Sequence, residues 1–100
     1  MKVVLCNTED IDVGEKKIIQ IEGSNVVIFN INGDYYCISD VCSHDGGSIS
    51  DGETDGYTIK CPRHGAKFDV RDGKAKSLPA TRGIPCYSIE IVGGELIIDI

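Results

Sequence analysis

Turn-forming pairs recur along this chain at intervals too short for helices: Gly23-Ser24, Asn32-Gly33, Asp51-Gly52, Asp55-Gly56, Asp72-Gly73 and Gly93-Gly94. Asn-Gly, Asp-Gly and Gly-Gly supply the positive φ angles that tight β-hairpins need. Short, β-rich runs lie between them. Val26 to Ile31 is apolar on both faces, as a buried strand would be. Tyr35 to Ile38 follows across Asn32-Gly33 and should pair with it. Ile89 and Ile91, then Leu96, Ile98 and Ile100, alternate across Gly93-Gly94 as a second hairpin. Lys16 to Ile21 and Tyr57 to Lys60 are weaker strand candidates. No window carries a sustained helical stripe, and Pro62, Pro79 and Pro85 interrupt the second half. The pattern predicts an all-β fold.

The chain has 100 residues, 41% of them apolar, which suits one domain spanning residues 1–100. It has no apolar run near the length of a membrane span. The start, Met1 to Cys6, runs straight into Asn7-Thr8-Glu9-Asp10 and is too short for a signal peptide. A cytoplasmic location and no membrane association are therefore expected. Net charge is −6, from sixteen acids against ten bases. That balance argues against nucleic acid as a partner, whose phosphates call for lysine and arginine. It suits solubility and docking to other proteins, although any solvated acidic surface would look the same.

Five cysteines with no secretion signal do not suggest a disulfide scaffold. Cys6, Cys37 and Cys86 lie in apolar, strand-like sequence, and each reads as a small core residue. The other two belong to a pattern. Cys42-Ser43-His44 and Cys61-Pro62-Arg63-His64 each offer one sulfur and one imidazole, and each is followed by glycine. Sixteen residues, Asp45 to Lys60, separate them. Both stretches sit where strands end, so residues 40–66 form an insert between β-rich halves, with two loops at its tip and a cluster-binding subdomain at about residues 40–80. Rigid strands would hold the loops in position.

Cys42, His44, Cys61 and His64 are thus candidate metal ligands. Two chemistries take such a set. In a mixed-ligand iron–sulfur cluster, two cysteines hold one iron and two histidines the other. A structural zinc ion also accepts two cysteines and two histidines. Zinc fingers usually pair like with like, however, often with the histidines on a helix, and no helix is available here. Both histidines of the chain fall inside the motif, which makes coincidence a poor third reading.

These stretches resemble a known family. Cys42-Ser43-His44-Asp45-Gly46-Gly47-Ser48-Ile49-Ser50-Asp51-Gly52 resembles the first cluster loop of Rieske-type ferredoxins. Cys61-Pro62-Arg63-His64-Gly65-Ala66-Lys67-Phe68-Asp69 resembles the second. Leu78-Pro79-Ala80-Thr81 resembles the segment that closes over the cluster, and Tyr87 to Ile100 the closing strands. The resemblance implies the Rieske fold, with antiparallel sheets and a cluster subdomain at one end. It implies one [2Fe-2S] cluster per chain, held by Cys42, His44, Cys61 and His64, and a one-electron carrier rather than an enzyme. The donor would be a flavoprotein reductase and the acceptor a terminal oxygenase or other redox enzyme. A small Rieske-like subunit of a nitrite reductase or another multisubunit oxidoreductase is the second reading. A zinc-stabilised interaction module is the third.

The departures from relatives of the cytochrome bc type are specific. Those proteins carry a further cysteine in each loop, joined as a disulfide; here the positions are Gly47 and Arg63. They also use a serine and a tyrosine as hydrogen-bond donors to the cluster and its cysteine; here Ala66 and Phe68 stand there. Fewer donors to sulfur predict a potential near the bottom of the Rieske range, about −150 mV. Phe68 is expected to be core packing beside the loop, and Asp69 an acceptor that fixes a turn. Lys60, Lys67, Lys74 and Lys76 make the second loop's surroundings more basic than the whole.

Overall fold

The computed structural model describes residues 1–100 except Glu22, His44, Asp45 and Pro79. The described residues form strands β1 (Lys2–Asn7), β2 (Lys16–Ile21), β3 (Ser24–Ile31), β4 (Asp34–Ser39), β5 (Thr54–Asp55), β6 (Thr58–Lys60), β7 (Lys67–Asp69), β8 (Cys86–Tyr87), β9 (Ile89–Val92) and β10 (Glu95–Asp99). The helical content among them is one 3-10 turn, Thr8–Asp10. No helix among them is long and apolar enough to cross a membrane. The strands make three sheets, ordered β1-β10-β9, β2-β3-β4-β8 and β5-β6-β7, with every pairing antiparallel. The all-β expectation is met.

The pattern of β3 explains the layering. Val26 and Ile28 pack with Cys37, Leu96 and Ile98, in the core facing the β1-β10-β9 sheet. Val27 and Phe29, on the opposite face, pack with Ile38, Ile59, Phe68, Cys42 and Cys61. A strand alternates its side chains between two faces. One that is apolar on both must therefore have a core on both. The β2-β3-β4-β8 sheet is the middle layer of three, a known though less common architecture. Its outer neighbours are the β1-β10-β9 sheet on one side and, on the other, the β5-β6-β7 sheet with the two cysteine loops.

The expected hairpins are present. β3 and β4 pair from Val26↔Ser39 to Ile31↔Asp34 across Asn32-Gly33, where φ is 56° and 91°. β9 and β10 pair across Gly93-Gly94. Leu96 and Ile98 are buried, but Ile91 and Ile100 are half exposed, because β9 is an outer strand and Ile100 lies past the end of β10. The sequence around Cys6 is strand-like but does not show where β1 pairs; it covers the free side of β10, running from Lys2↔Asp99 to Asn7↔Glu95 with a bulge between Val4 and Cys6. The insert is not loops alone: β5 and β6 lie within residues 40–66, and β7 completes their sheet just beyond it.

The three remaining cysteines need one correction. Cys37 is buried and Cys6 half-buried, both in strands as expected. Cys86 is exposed. It lies on β8, a two-residue strand at the outer edge of the middle sheet, so the apolar sequence around it does not cover it.

Candidate metal centre

Cys42 and Cys61 begin two loops of the same construction. In the first, the Cys42 N–H donates to the Gly47 carbonyl at 2.7 Å and the Gly46 N–H to the Cys42 carbonyl at 2.7 Å. In the second, the Cys61 N–H donates to the Ala66 carbonyl at 2.7 Å and the Gly65 N–H to the Cys61 carbonyl at 3.0 Å. The fifth residue of each is a glycine in the left-handed region, φ 75° at Gly46 and 77° at Gly65, where a Cβ would be strained. The two loops are therefore matched at their first, fifth and sixth residues, although the sequence spacings C-x-H and C-x-x-H differ. His44 stands third in its loop sequence and His64 fourth. Sequence reasoning missed this equivalence, because only the hydrogen bonds reveal that residue 46 matches residue 65.

The loops bring the two sulfurs together. Cys42 and Cys61 are 0% and 1% exposed, and the Cys42 side chain hydrogen-bonds Cys61. Burial pushes the Cys61 thiol up. Hydrogen bonds from the Arg63 and His64 backbone N–H groups and from Cys42 outweigh it, holding Cys61 below the usual thiol value. The thiolate is the form that binds metal, and backbone N–H groups aimed at sulfur favour it. His64 is exposed at the loop tip. His44 lies outside the described residues, as does Pro79 of the expected closing segment. A buried sulfur pair under an exposed imidazole fits a cluster with one iron held by sulfur and the other by histidine.

The residues behind the sulfurs are apolar. Ala66 and Phe68 are fully buried and pack in one cluster with Cys42 and Cys61, so neither brings a hydroxyl to the site. Gly47 and Arg63 are also neighbours. A Cβ on Gly47 would lie 2.6 Å from the Arg63 Cζ, so the guanidinium rests where a side chain at 47 would stand. The two loops thus touch at these positions through packing.

Each loop has its own anchor. The Asp40 carboxylate accepts from the Ser48 hydroxyl at 2.9 and 3.0 Å, the Ile49 N–H at 2.9 Å, the Ser50 N–H at 2.8 Å and the Ser50 hydroxyl at 2.9 Å. That ties the chain after Gly47 back to the residue two before Cys42. Ser43 adds a hydroxyl bond to the Arg82 carbonyl. The second loop instead connects β6 to β7, whose ladder closes at Lys60↔Lys67. Asp40 carried no signal in the sequence; its partners lie eight to ten residues away and meet it only through the loop.

Asp69 fixes the turn after β7, as expected. Its buried carboxylate accepts from the Arg71 N–H at 2.9 Å and from the guanidinium at 3.0 and 2.7 Å. The Arg71 guanidinium holds it below the usual carboxylate range, against the opposing effect of burial. Arg71 also lies over the Tyr57 ring, 4.2 Å from its centroid, and Tyr57 packs edge-on against Tyr36. In the other core cluster, burial pushes the Cys37 thiol up to about 12, which marks it as a core residue.

Comparison with known proteins agrees with this geometry. The Rieske [2Fe-2S] domain family matches residues 1–88. The 3-phenylpropionate/cinnamic acid dioxygenase ferredoxin subunit of Escherichia coli is 38% identical over 101 residues, covering 99% of this chain and 93% of that protein. Among solved structures, a ferredoxin of Sphingomonas yanoikuyae B1 superposes with a TM-score of 0.92 at 31% identity, covering 100% of this chain and 99% of that one. A chain from a complex of oxygenase and ferredoxin in carbazole 1,9a-dioxygenase gives 0.91 at 28% identity, covering 97% and 91%. Matched loops, paired sulfurs and apolar backing are what such a cluster needs, and the chain belongs to the Rieske [2Fe-2S] domain family as a Rieske-type ferredoxin.

Proposed function

We propose that this chain is a one-electron carrier that takes electrons from a flavoprotein reductase and passes them to a terminal oxygenase, with its cluster held by Cys42, His44, Cys61 and His64. The carrier role follows from the family and from relatives that are ferredoxin components of dioxygenase systems. The ligand set rests on one observation above all: two matched loops that bury two neighbouring sulfurs and leave His64 exposed. The bound cluster supplies a single reversible redox step and makes no bond to substrate. The chain's own residues do the rest. The loop N–H groups favour thiolate, Ala66 and Phe68 exclude water and hydroxyl donors, and the exposed imidazole end meets the partner. Residues 1–100 act as one domain, with the cluster subdomain at about residues 40–80, and the protein works in the cytoplasm.

Low-temperature EPR of the dithionite-reduced protein tests the ligand set. An average g value below that of all-cysteine clusters is expected from mixed nitrogen and sulfur ligation. Cys42→Ser, His44→Ala, Cys61→Ser and His64→Ala should each abolish that signal while the far hairpins stay folded. A colourless protein with one zinc and no iron would overturn both the ligand assignment and the carrier role.

A further inference from the structure

The charge of this acidic chain is unevenly spread. Residues 60–82 hold seven lysines and arginines against two aspartates, while the rest holds three bases against fourteen acids. The fold turns that imbalance into a row. Lys60 of β6 stands opposite Lys67 of β7. On the far side of β7, Phe68 bridges Ala75, and the Lys76 N–H donates to the Lys67 carbonyl at 2.7 Å, which sets Lys76 opposite Lys67. Opposed residues of antiparallel strands share a face. Ile59, Phe68 and Ala75 take the inner face of these three strands, so the three lysines line the outer one.

All three lysines are exposed, and none makes an ion pair among the described residues. Like charges set directly opposite one another destabilise a sheet, and Asp69 attracts Lys76 only through space, without an ion pair. The carboxylate on the same strand face, Asp69, is already taken by Arg71. Asp51 and Glu53 line a surface groove together with Lys60 and the second loop, on one flank of the row. The row also adjoins the proposed cluster site. Lys60 and Lys67 are the residues on either side of the Cys61–Ala66 loop, and the Lys60 Cε would lie 3.4 Å from a Cβ on Gly65.

We propose that Lys60, Lys67 and Lys76 form the docking rim for a redox partner whose contact face is rich in carboxylates. This rests on the electron-carrier reading above. The Debye length in the cell is about 8 Å. At contact range the local row therefore outweighs the chain's distant acids, and encounter is steered by cations although the net charge is −6.

Small redox probes of opposite charge separate the local field from the net charge. The reduced holoprotein gives one electron to hexacyanoferrate(III), a trianion, or to hexaammineruthenium(III), a trication, and each stopped-flow rate is followed against ionic strength. The hexacyanoferrate rate should fall as salt rises. Lys67→Glu/Lys76→Glu should slow it about tenfold at low salt, while the remote Lys2→Glu/Lys17→Glu, with the same change in charge, leaves it within about twofold. Poly-L-glutamate, which presents carboxylates on a peptide chain, should inhibit the wild type and not Lys67→Glu/Lys76→Glu. Redox-inert hexacyanochromate(III) should broaden the NMR signals of residues 67 and 76 without any electron transfer. A hexacyanoferrate rate that rises with salt, equal effects of the two double variants, or no inhibition by poly-L-glutamate would overturn the proposal. A protein that takes up no electron fails the carrier reading instead, and the hexacyanochromate broadening still reports on the row.

Discussion

The two cysteine loops have one backbone design and two different supports. Cys42 to Gly47 and Cys61 to Ala66 close with the same pair of main-chain hydrogen bonds and the same left-handed glycine. The second is a connection between paired strands, held by the β6–β7 ladder. The first has no strand pair of its own, and a single carboxylate, Asp40, gathers the chain behind it. The turn needed to present a sulfur is thus set by local backbone chemistry, while what steadies it can be a ladder or one half-buried anion.

The sharpest way to break this comparison is to remove each support in turn. Asp40→Ala takes away the acceptor for two backbone N–H groups and two hydroxyls. Hydrogen bonds to a charged acceptor contribute about 1.5–3 kcal/mol each in favourable cases, so a loss of at least about 3 kcal/mol is expected, with poor cluster incorporation. The matching change at the second loop, Ser77→Ala, removes one bond to the Lys67 N–H and should cost about 1 kcal/mol. Chemical denaturation and iron content per chain measure both. Equal losses would show that Asp40 does not carry the first loop.

The contrast also separates what was legible in the sequence from what was not. The pairing of the two cysteine stretches, the Asn32-Gly33 and Gly93-Gly94 hairpins and the doubly buried β3 were readable, because each depends on residues close together in the chain. The β6–β7 support was half readable, since Tyr57 to Lys60 looked like a weak strand. Asp40 was not, because an aspartate before a glycine-rich loop looks the same whether it faces water or collects four donors. The pairing of β1 and the exposure of Cys86 were not readable for a related reason. Their roles follow from which strand lies next to them, β10 in one case and open solvent in the other, and periodicity within a strand does not encode its neighbours.

If the loops are truly matched, their glycines should respond alike. Gly46→Ala and Gly65→Ala each place a Cβ on a residue at φ near 75°, with no backbone atom within 4 Å. Each should therefore cost about 1 kcal/mol from backbone strain alone. Gly47→Ala acts differently, displacing the end of the Arg63 side chain instead of straining the chain. It should cost less, and Arg63→Ala should abolish the difference between Gly and Ala at 47. A Gly47→Ala penalty that survives Arg63→Ala would place the cost in the backbone.

Asp69 extends the comparison to pH. Its carboxylate titrates below the ordinary value near 3.8 in the folded chain, chiefly through its hydrogen bonds to Arg71. A depressed pKa stabilises the fold above the ordinary value, and the stabilisation is lost as pH falls through the lower folded value. Asp69→Asn should lower Tm by a few degrees at neutral pH. The gap from wild type should narrow as pH drops below about 4. Thermal melts of wild type and Asp69→Asn from neutral to acid pH measure it, and an Asp69→Asn gap that stays constant across this range would remove the Arg71 pair as its cause.

The smallest effect concerns the shared apolar backing of the loops. Ala66 ends the second loop and Phe68 lies in β7, both fully buried with Cys42 and Cys61. A hydroxyl there can donate to sulfur, and such a bond is stronger when the site holds the extra electron. Ala66→Ser and Phe68→Tyr should each raise the midpoint potential. If one bond favours the reduced state by about 1 kcal/mol, the rise is about 40 mV for one electron. Starting near −150 mV, even the double variant stays in the lower half of the Rieske range. Because Ala66 sits on the loop and Phe68 on the strand that supports it, the two shifts compare the halves of the second support directly. Protein-film voltammetry resolves changes of this size, and a potential unmoved by either substitution would mean that the new hydroxyls turn away from the sulfurs towards backbone acceptors.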